Sequence, residues 1–196
     1  DGKEVQSKDG EVIEVRSPFN RELLTRVAAA QAVDVDEAVQ VATAAFEDGR
    51  WSGKPARQRA RVLLKAAELL GARMSELAEL ESRQTGRPVR EMRAQLARLP
   101  EWLEHFAALC QGLEGQVPPF SDSSHLNYVT RVPLGVCALI TPWNHPLLIA
   151  IKKTAPALAA GNCVVIKPTE LAPVVVFEMA RIFQAAGLPD GVLNVV

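Results

Sequence analysis

With 196 residues, of which 48% are hydrophobic and 23% charged, the chain is long enough to enclose a core and has an ordinary globular composition. Its net charge of −1, with basic residues interleaved among acids, offers no patch for nucleic acid or an anionic membrane, and no apolar run approaches the ~20 residues of a bilayer span. Three widely spaced cysteines, Cys110, Cys137 and Cys163, give neither a disulfide framework nor a metal-ligand spacing, which points to a reducing compartment and no metal.

The first elements are extended. Val12–Val15 and Leu23–Val27 flank Ser17-Pro18-Phe19-Asn20-Arg21, a strand–turn–strand pattern. A helix is predicted from Asp34 as N-cap, with Val35, Ala38, Val39, Ala42, Ala45 and Phe46 on one face and Gly49 at its end. From about Ala56 a longer helical region carries Ala60, Leu63, Leu64, Ala67, Leu70, Met74 and Leu77 at three- and four-residue steps, until Thr85-Gly86-Arg87-Pro88 breaks it. The next helical stretch, Val89 to about Gln111, presents Met92, Leu96, Leu99, Leu103, Phe106 and Cys110; Pro100 either kinks it or starts a second helix. Pro118-Pro119 and Ser121–Ser124 read as a loop, and His125–Arg131 as one exposed, partly alternating strand.

From Gly135 the pattern changes. Val136–Ile140, Cys163–Ile166 and Val192–Val196 are short apolar runs separated by helical segments, the second of them around Val174–Ala186. Strands buried on both faces of a parallel sheet have this composition. The fold class is therefore α/β, an N-terminal helical region followed by the first half of a doubly wound parallel sheet. Ligands of such sheets bind at the carboxyl ends of the strands. Here those ends are Thr141–Asn144, Lys167–Glu170 and whatever follows Val196. No G-x-G-x-x-G or P-loop occurs.

Each residue at these ends has two readings. The amide of Asn144 can donate to a carbonyl oxygen that gains charge under nucleophilic attack, or it can cap the helix beginning near Pro146. Lys167 and Glu170 can both hydrogen-bond vicinal hydroxyls of a ribose, or form an exposed ion pair worth about 0–1 kcal/mol. Trp143 can pack on a cofactor, though core filling is its default. Lys153, on a mostly apolar helix, can snorkel to solvent. Gly161 and Gly187 are expected to end helices in a left-handed conformation. Cys137 and Cys163 fall inside buried strands, and Cys110 on a distant helix, so no nucleophile is assigned.

In order, Pro142-Trp143-Asn144, Pro156-Ala157-Leu158-Ala159-Ala160-Gly161-Asn162 and Lys167-Pro168-Thr169-Glu170 resemble the aldehyde dehydrogenase superfamily. The likeness extends over essentially the whole chain, through Glu81-Ser82-Arg83-Gln84-Thr85-Gly86-Arg87-Pro88 and Gly187-Leu188-Pro189-Asp190-Gly191-Val192. It implies a Rossmann-like NAD-binding domain, here its N-terminal part. Residues 1–117 would be a hairpin and helices, 125–132 the first arm of an oligomerisation hairpin, and 135–196 a βαβαβ cofactor unit, with the catalytic domain absent.

The resemblance further implies NAD-dependent oxidation of an aldehyde to a carboxylic acid through a Cys thiohemiacetal. Asn144 and Lys153 would be catalytic, the latter in a buried position of a proton relay. Ile140, Thr141, Pro142, Trp143, Lys167, Pro168, Thr169 and Glu170 would contact the cofactor, with the Glu170 carboxylate favouring NAD over NADP. The nucleophile would lie beyond Val196, so this chain alone is expected to be inactive. The complete protein would be a homodimer or homotetramer of the cytoplasm or mitochondrial matrix. The alternative is a truncated non-catalytic nucleotide-binding or subunit-interaction module. A CoA-acylating relative fits Glu170 less well. His145 stands where the family commonly has an aromatic, and is expected to pack rather than react.

Overall fold

Two strands, Val12–Arg16 (β1) and Leu23–Ala28 (β2), pair antiparallel around the predicted turn. The turn is closed by Ser17 N–H to Glu22 O at 2.9 Å and Arg21 N–H to Ser17 O at 2.8 Å. The computed structural model describes residues 2–122 and 124–196. Ser123, part of the predicted Ser121–Ser124 loop, lies outside the described residues, as does Asp1.

The helix Ala32–Glu47 (α1) starts earlier than expected, with Gln31 at its N-cap. Asp34 sits in its first turn, where the carboxylate accepts the Gln31 N–H at 2.8 Å and the Lys8 N–H at 3.1 Å. An acid at the third helical position satisfies one of the orphan donors, the N-cap N–H, and complements the helix dipole. Ala42 and Ala45 are buried as predicted, whereas Val35 and Val39 stay partly in solvent.

The long helical region divides at Arg73 into Ala56–Ala72 (α2) and Met74–Thr85 (α3). The break lets one stripe continue around a corner, because Leu63, Leu70 and Leu77 are all fully buried. The Arg73 guanidinium reaches Glu178 of a later helix at 2.7 Å. Gly86 ends α3 with φ 75°, and a Cβ there would meet Pro18 Cγ at 2.8 Å. Pro100 starts a helix rather than kinking one: Val89–Leu96 (α4) and Leu99–Leu109 (α5) are separate.

His125–Arg131 is not a strand. Its one pairing is an isolated bridge between Gln116 and Val129, with N–H···O distances of 3.0 and 2.8 Å. A strand exists only through its ladder, and among the described residues this segment has no continuous partner.

The parallel sheet is as expected. Val136–Ile140 (β3), Cys163–Lys167 (β4) and Leu193–Val195 (β5) lie in the order β3-β4-β5, joined by Pro146–Ala159 (α6) and Val174–Ala185 (α7). Every residue of β4 from Cys163 to Ile166 is buried, which requires cover on both faces. α1 packs across all three strands, while α6 and α7 pack on the sheet and on the layer built by α2 and α5. The core thus runs from the sheet through α6 to Leu99 and Leu103 of α5 without interruption.

Candidate cofactor and oxyanion site

The register of β3 on β4 sets Ile140 against Lys167, and Thr141 N–H continues the ladder to Lys167 O at 3.2 Å. The two predicted loops are therefore neighbours. On the other side, Val196 N–H donates to Ile166 O at 3.0 Å.

In the first loop Thr141 is buried, its hydroxyl without a hydrogen-bond partner among the described residues. Ile140 is 67% exposed and Trp143 55% exposed, so core filling does not explain Trp143. Pro142 and Asn144 are exposed too. Asn144 does not cap α6. His145 holds the N-cap position, and the Asn144 amide makes no hydrogen bond within the described residues. An exposed amide with free donors is what an oxyanion ligand requires.

Lys153 is exposed rather than buried. Its ammonium returns to the strand end, donating to Ile140 O at 2.7 Å. The alternation of parallel strands explains this. Thr141 faces β4, so the Ile140 carbonyl points to the other edge, where a lysine of α6 can satisfy it.

In the second loop the Lys167 ammonium lies 3.5 Å from the Glu170 carboxylate, both side chains more than half exposed. Lys167 also donates to Pro168 O at 3.2 Å. Backbone hydrogen bonding and the Lys167 charge hold the Glu170 carboxyl below the usual range. Thr169 is buried, and its hydroxyl accepts the Leu171 N–H at 3.3 Å, which shapes the turn. These donors and the acceptor fit a diol such as that of a nucleotide ribose.

Sequence reasoning assigned no role to the residues holding these loops. Arg87 Nη1 donates to Asn144 O at 3.3 Å, to His145 Nδ1 at 2.6 Å and to Gln95 Oε1 at 3.1 Å, while Gln95 Nε2 donates to His145 Nδ1 at 2.7 Å. A guanidinium can only donate, and its Nη1 lies 2.6 Å from Nδ1 and 3.3 Å from Nε2, so His145 accepts here as a neutral ring. Burial, then the charges of Arg87 and Lys152, push its pKa below the ordinary value. Glu81 is fully buried and accepts the Leu147 N–H at 3.2 Å. Burial pushes its carboxyl up to about 7. The signal was present. Glu81 and Gln84 fall on the apolar stripe of α3 beside Leu77 and Ala78, where a polar residue needs a reason.

The aldehyde dehydrogenase family model matches residues 5–196. The chain belongs to the aldehyde dehydrogenase family. Its fold is shared by solved structures at high similarity. PnpE from Pseudomonas sp. WBC-3 is 44% identical with a TM-score of 0.93, covering 98% of this chain and 39% of that one; PnpE has also been solved in complex with nicotinamide adenine dinucleotide. A NAD-dependent aldehyde dehydrogenase from Sinorhizobium meliloti is 36% identical with a TM-score of 0.96, over 100% of this chain and 39% of that one. An NADP dependent enzyme of E. coli is 31% identical with a TM-score of 0.96, over 100% and 40%. The chain thus spans 39–40% of the length of these structures.

The three cysteines are all free thiols. Cys110 and Cys163 are buried, and burial pushes all three thiols up, Cys163 to about 11. Cys110 Sγ sits on Ala159 O, at the far end of α6 from Asn144, a helix of 14 residues and so about 21 Å long. Cys163 opens β4, also at the far end of the sheet. Among the described residues, no group of three or more His, Cys, Asp or Glu could hold a metal, and no helix is long and apolar enough to cross a membrane.

Proposed function

We propose that this chain is the NAD-binding portion of an aldehyde dehydrogenase that oxidises an aldehyde to a carboxylic acid, and that it supplies the side-chain donor of the oxyanion hole. One observation carries the reading. The Asn144 amide is exposed and unspent beside the Lys167–Glu170 pair, at adjacent strand ends.

In this reading Asn144 donates to the aldehyde oxygen as a cysteine thiolate from outside these 196 residues adds to the carbonyl carbon to give a thiohemiacetal. The charge that builds on that oxygen is what the amide is placed to hold. NAD, when bound, supplies the hydride acceptor. Lys167 and Glu170 take the ribose hydroxyls, and the carboxylate, held ionised, repels a 2′-phosphate. Ile140, Thr141, Pro142 and Trp143 form one wall of the cofactor groove, Pro168 and Thr169 the other. Lys153 pins the end of β3 in the resting state and is the group available to move a proton there.

The segment 125–132 is an intersubunit arm in this reading. Its exposed Leu126 and Tyr128, 76% and 63% accessible, support a homodimer or homotetramer in which a partner completes the ladder. Residues 1–117 carry the hairpin and helices, and 135–196 the cofactor unit. A reducing compartment, cytoplasm or mitochondrial matrix, suits its free thiols.

Steady-state kinetics of Asn144→Ala in the complete protein test the reading. The kcat should fall about 10²–10³-fold with the NAD KM little changed. Full activity without the amide would sink it. Glu170→Thr should raise the NADP/NAD preference; an unchanged ratio would remove Glu170 from the ribose. By the placement of its cysteines the 196-residue chain alone should form no NADH from aldehyde and NAD.

A further inference from the structure

α6 and α7 begin at the two loops assigned above, and neither has a side-chain cap of its own. The acceptors come from a single helix elsewhere in the chain. Glu81 Oε2 takes the Leu147 N–H at 3.2 Å, and Gln84 Oε1 takes the Val174 N–H at 2.9 Å. Both side chains are buried, at 0% and 3% exposure. Three residues apart on α3, they share one face. Gln84 Nε2 donates to Leu80 O at 3.3 Å, which turns the amide oxygen toward Val174. A buried N–H at a helix start is costly to leave unpaired. These bonds therefore set where each helix begins, and with it where the preceding loop is held.

We propose that Glu81 and Gln84 of α3 are positioning residues for the two halves of the site, Glu81 holding the Asn144 loop and Gln84 the Lys167–Glu170 loop. The inference rests on the functional reading above. Neither residue touches the reacting atoms; each acts through one backbone N–H. The α3–α4 corner grips the first loop a second time, because Arg87 donates to Asn144 O. It makes one polar contact with the start of α7. One helix thus ties the cofactor loop and the oxyanion loop to a common support, so that their separation is conserved when either is loaded.

The test uses the complete protein with Glu81→Met and Gln84→Met, which remove the acceptor at similar volume. A crossed pattern is expected. Glu81→Met lowers kcat about tenfold with NAD affinity nearly unchanged, and Gln84→Met weakens NAD about tenfold with kcat at saturating NAD nearly unchanged, the size set by one buried donor losing its partner. Glu81→Gln, which restores an acceptor, returns kcat. Amide hydrogen exchange reads the clamp independently of activity: each Met variant should speed exchange at its own amide, Leu147 or Val174, and not at the other. Unchanged exchange at both amides, or equal losses of kcat and NAD affinity in both variants, would overturn the proposal. If Asn144→Ala leaves kcat intact, the functional reading fails and this one with it. If Asn144→Ala abolishes turnover while Glu81→Met does not lower kcat, this proposal alone fails.

Discussion

The two ends of α6 are built on opposite rules. At its C-terminal end nearly every polar atom is spoken for. Asn162 Oδ1 accepts the N–H groups of Leu134 and Gly135 at 2.6 and 3.1 Å, and its Nδ2 donates to Ala157 O at 3.2 Å. Trp51 Nε1 donates to Leu158 O at 3.0 Å and Arg59 Nε to Ala159 O at 3.2 Å. At the N-terminal end, among the described residues, the Asn144 amide is free and Thr141 Oγ1 and Glu81 Oε1 are buried without partners; along the helix itself Thr154 Oγ1 is the one further such atom. Satisfied polar groups stabilise; unsatisfied ones wait for something else or store a cost. The contrast predicts that substitutions at the first end change stability, and those at the second change chemistry.

The sharpest way to break that contrast is Asn144→Ala. It should raise the barrier by about 2.7–4 kcal/mol in the complete enzyme while leaving Tm within a degree or two, because the amide holds nothing in the fold. A large drop in Tm would mean that Asn144 belongs with the structural end after all.

Glu81 sharpens the comparison next, because it is a cost carried at the open end. Its carboxyl titrates at about 7 in the folded chain against an ordinary 4.5, chiefly from burial. The folded state therefore holds its proton more tightly than the unfolded state. The stability present below about pH 4.5 is lost as pH rises through 7, by about 3 kcal/mol in all, and is flat above. Urea unfolding of wild type and Glu81→Gln between pH 5 and 8 checks this. The variant should lose most of the slope; parallel curves would mean that another group titrates.

The same contrast explains what was legible in the sequence. The strands were visible because short apolar runs leave little else to be, and β3 and β4 appear within a residue of their expected limits, but only β4 is buried as expected; β3, at the sheet edge, is part-exposed along its length. That Asn144, Lys167 and Glu170 would come together was legible because neighbouring parallel strands bring their carboxyl ends side by side, and the register of β3 on β4 puts them there. Glu81, Gln84 and Arg87 went unassigned because their work is done on backbone groups far away in sequence, at separations of 66, 90 and 57 residues, which no local pattern encodes. The family resemblance implied a buried Lys153, with snorkelling along an apolar helix as the alternative; the second holds, because its position faces the open edge of β3. His125–Arg131 was read as a strand from alternation, which records which faces differ in polarity and says nothing of whether a partner exists.

At the structural end, Asn162→Ala should destabilise by about 2–3 kcal/mol, since it strands the N–H groups of Leu134 and Gly135 at the entrance to β3. Catalysis per folded molecule should survive.

Trp51→Phe is the mildest case and the cleanest. Trp51 is fully buried, and its indole N–H crosses from the loop after α1 to Leu158 O, 107 residues away. Phenylalanine keeps an aromatic ring but offers no donor. Leu158 lies in the last turn of α6, where the final carbonyls have no intrahelical partner. Leu158 O keeps one bond, from the Gly161 N–H at 3.0 Å, so the loss is of a second bond rather than of all solvation. The expected cost is about 1 kcal/mol, plus a smaller term for the ring volume removed. Chemical denaturation should show a lower midpoint with an unchanged slope. A kcat effect larger than the stability effect would show that the two ends of α6 are coupled, and that the division of labour along it is not the rule this chain follows.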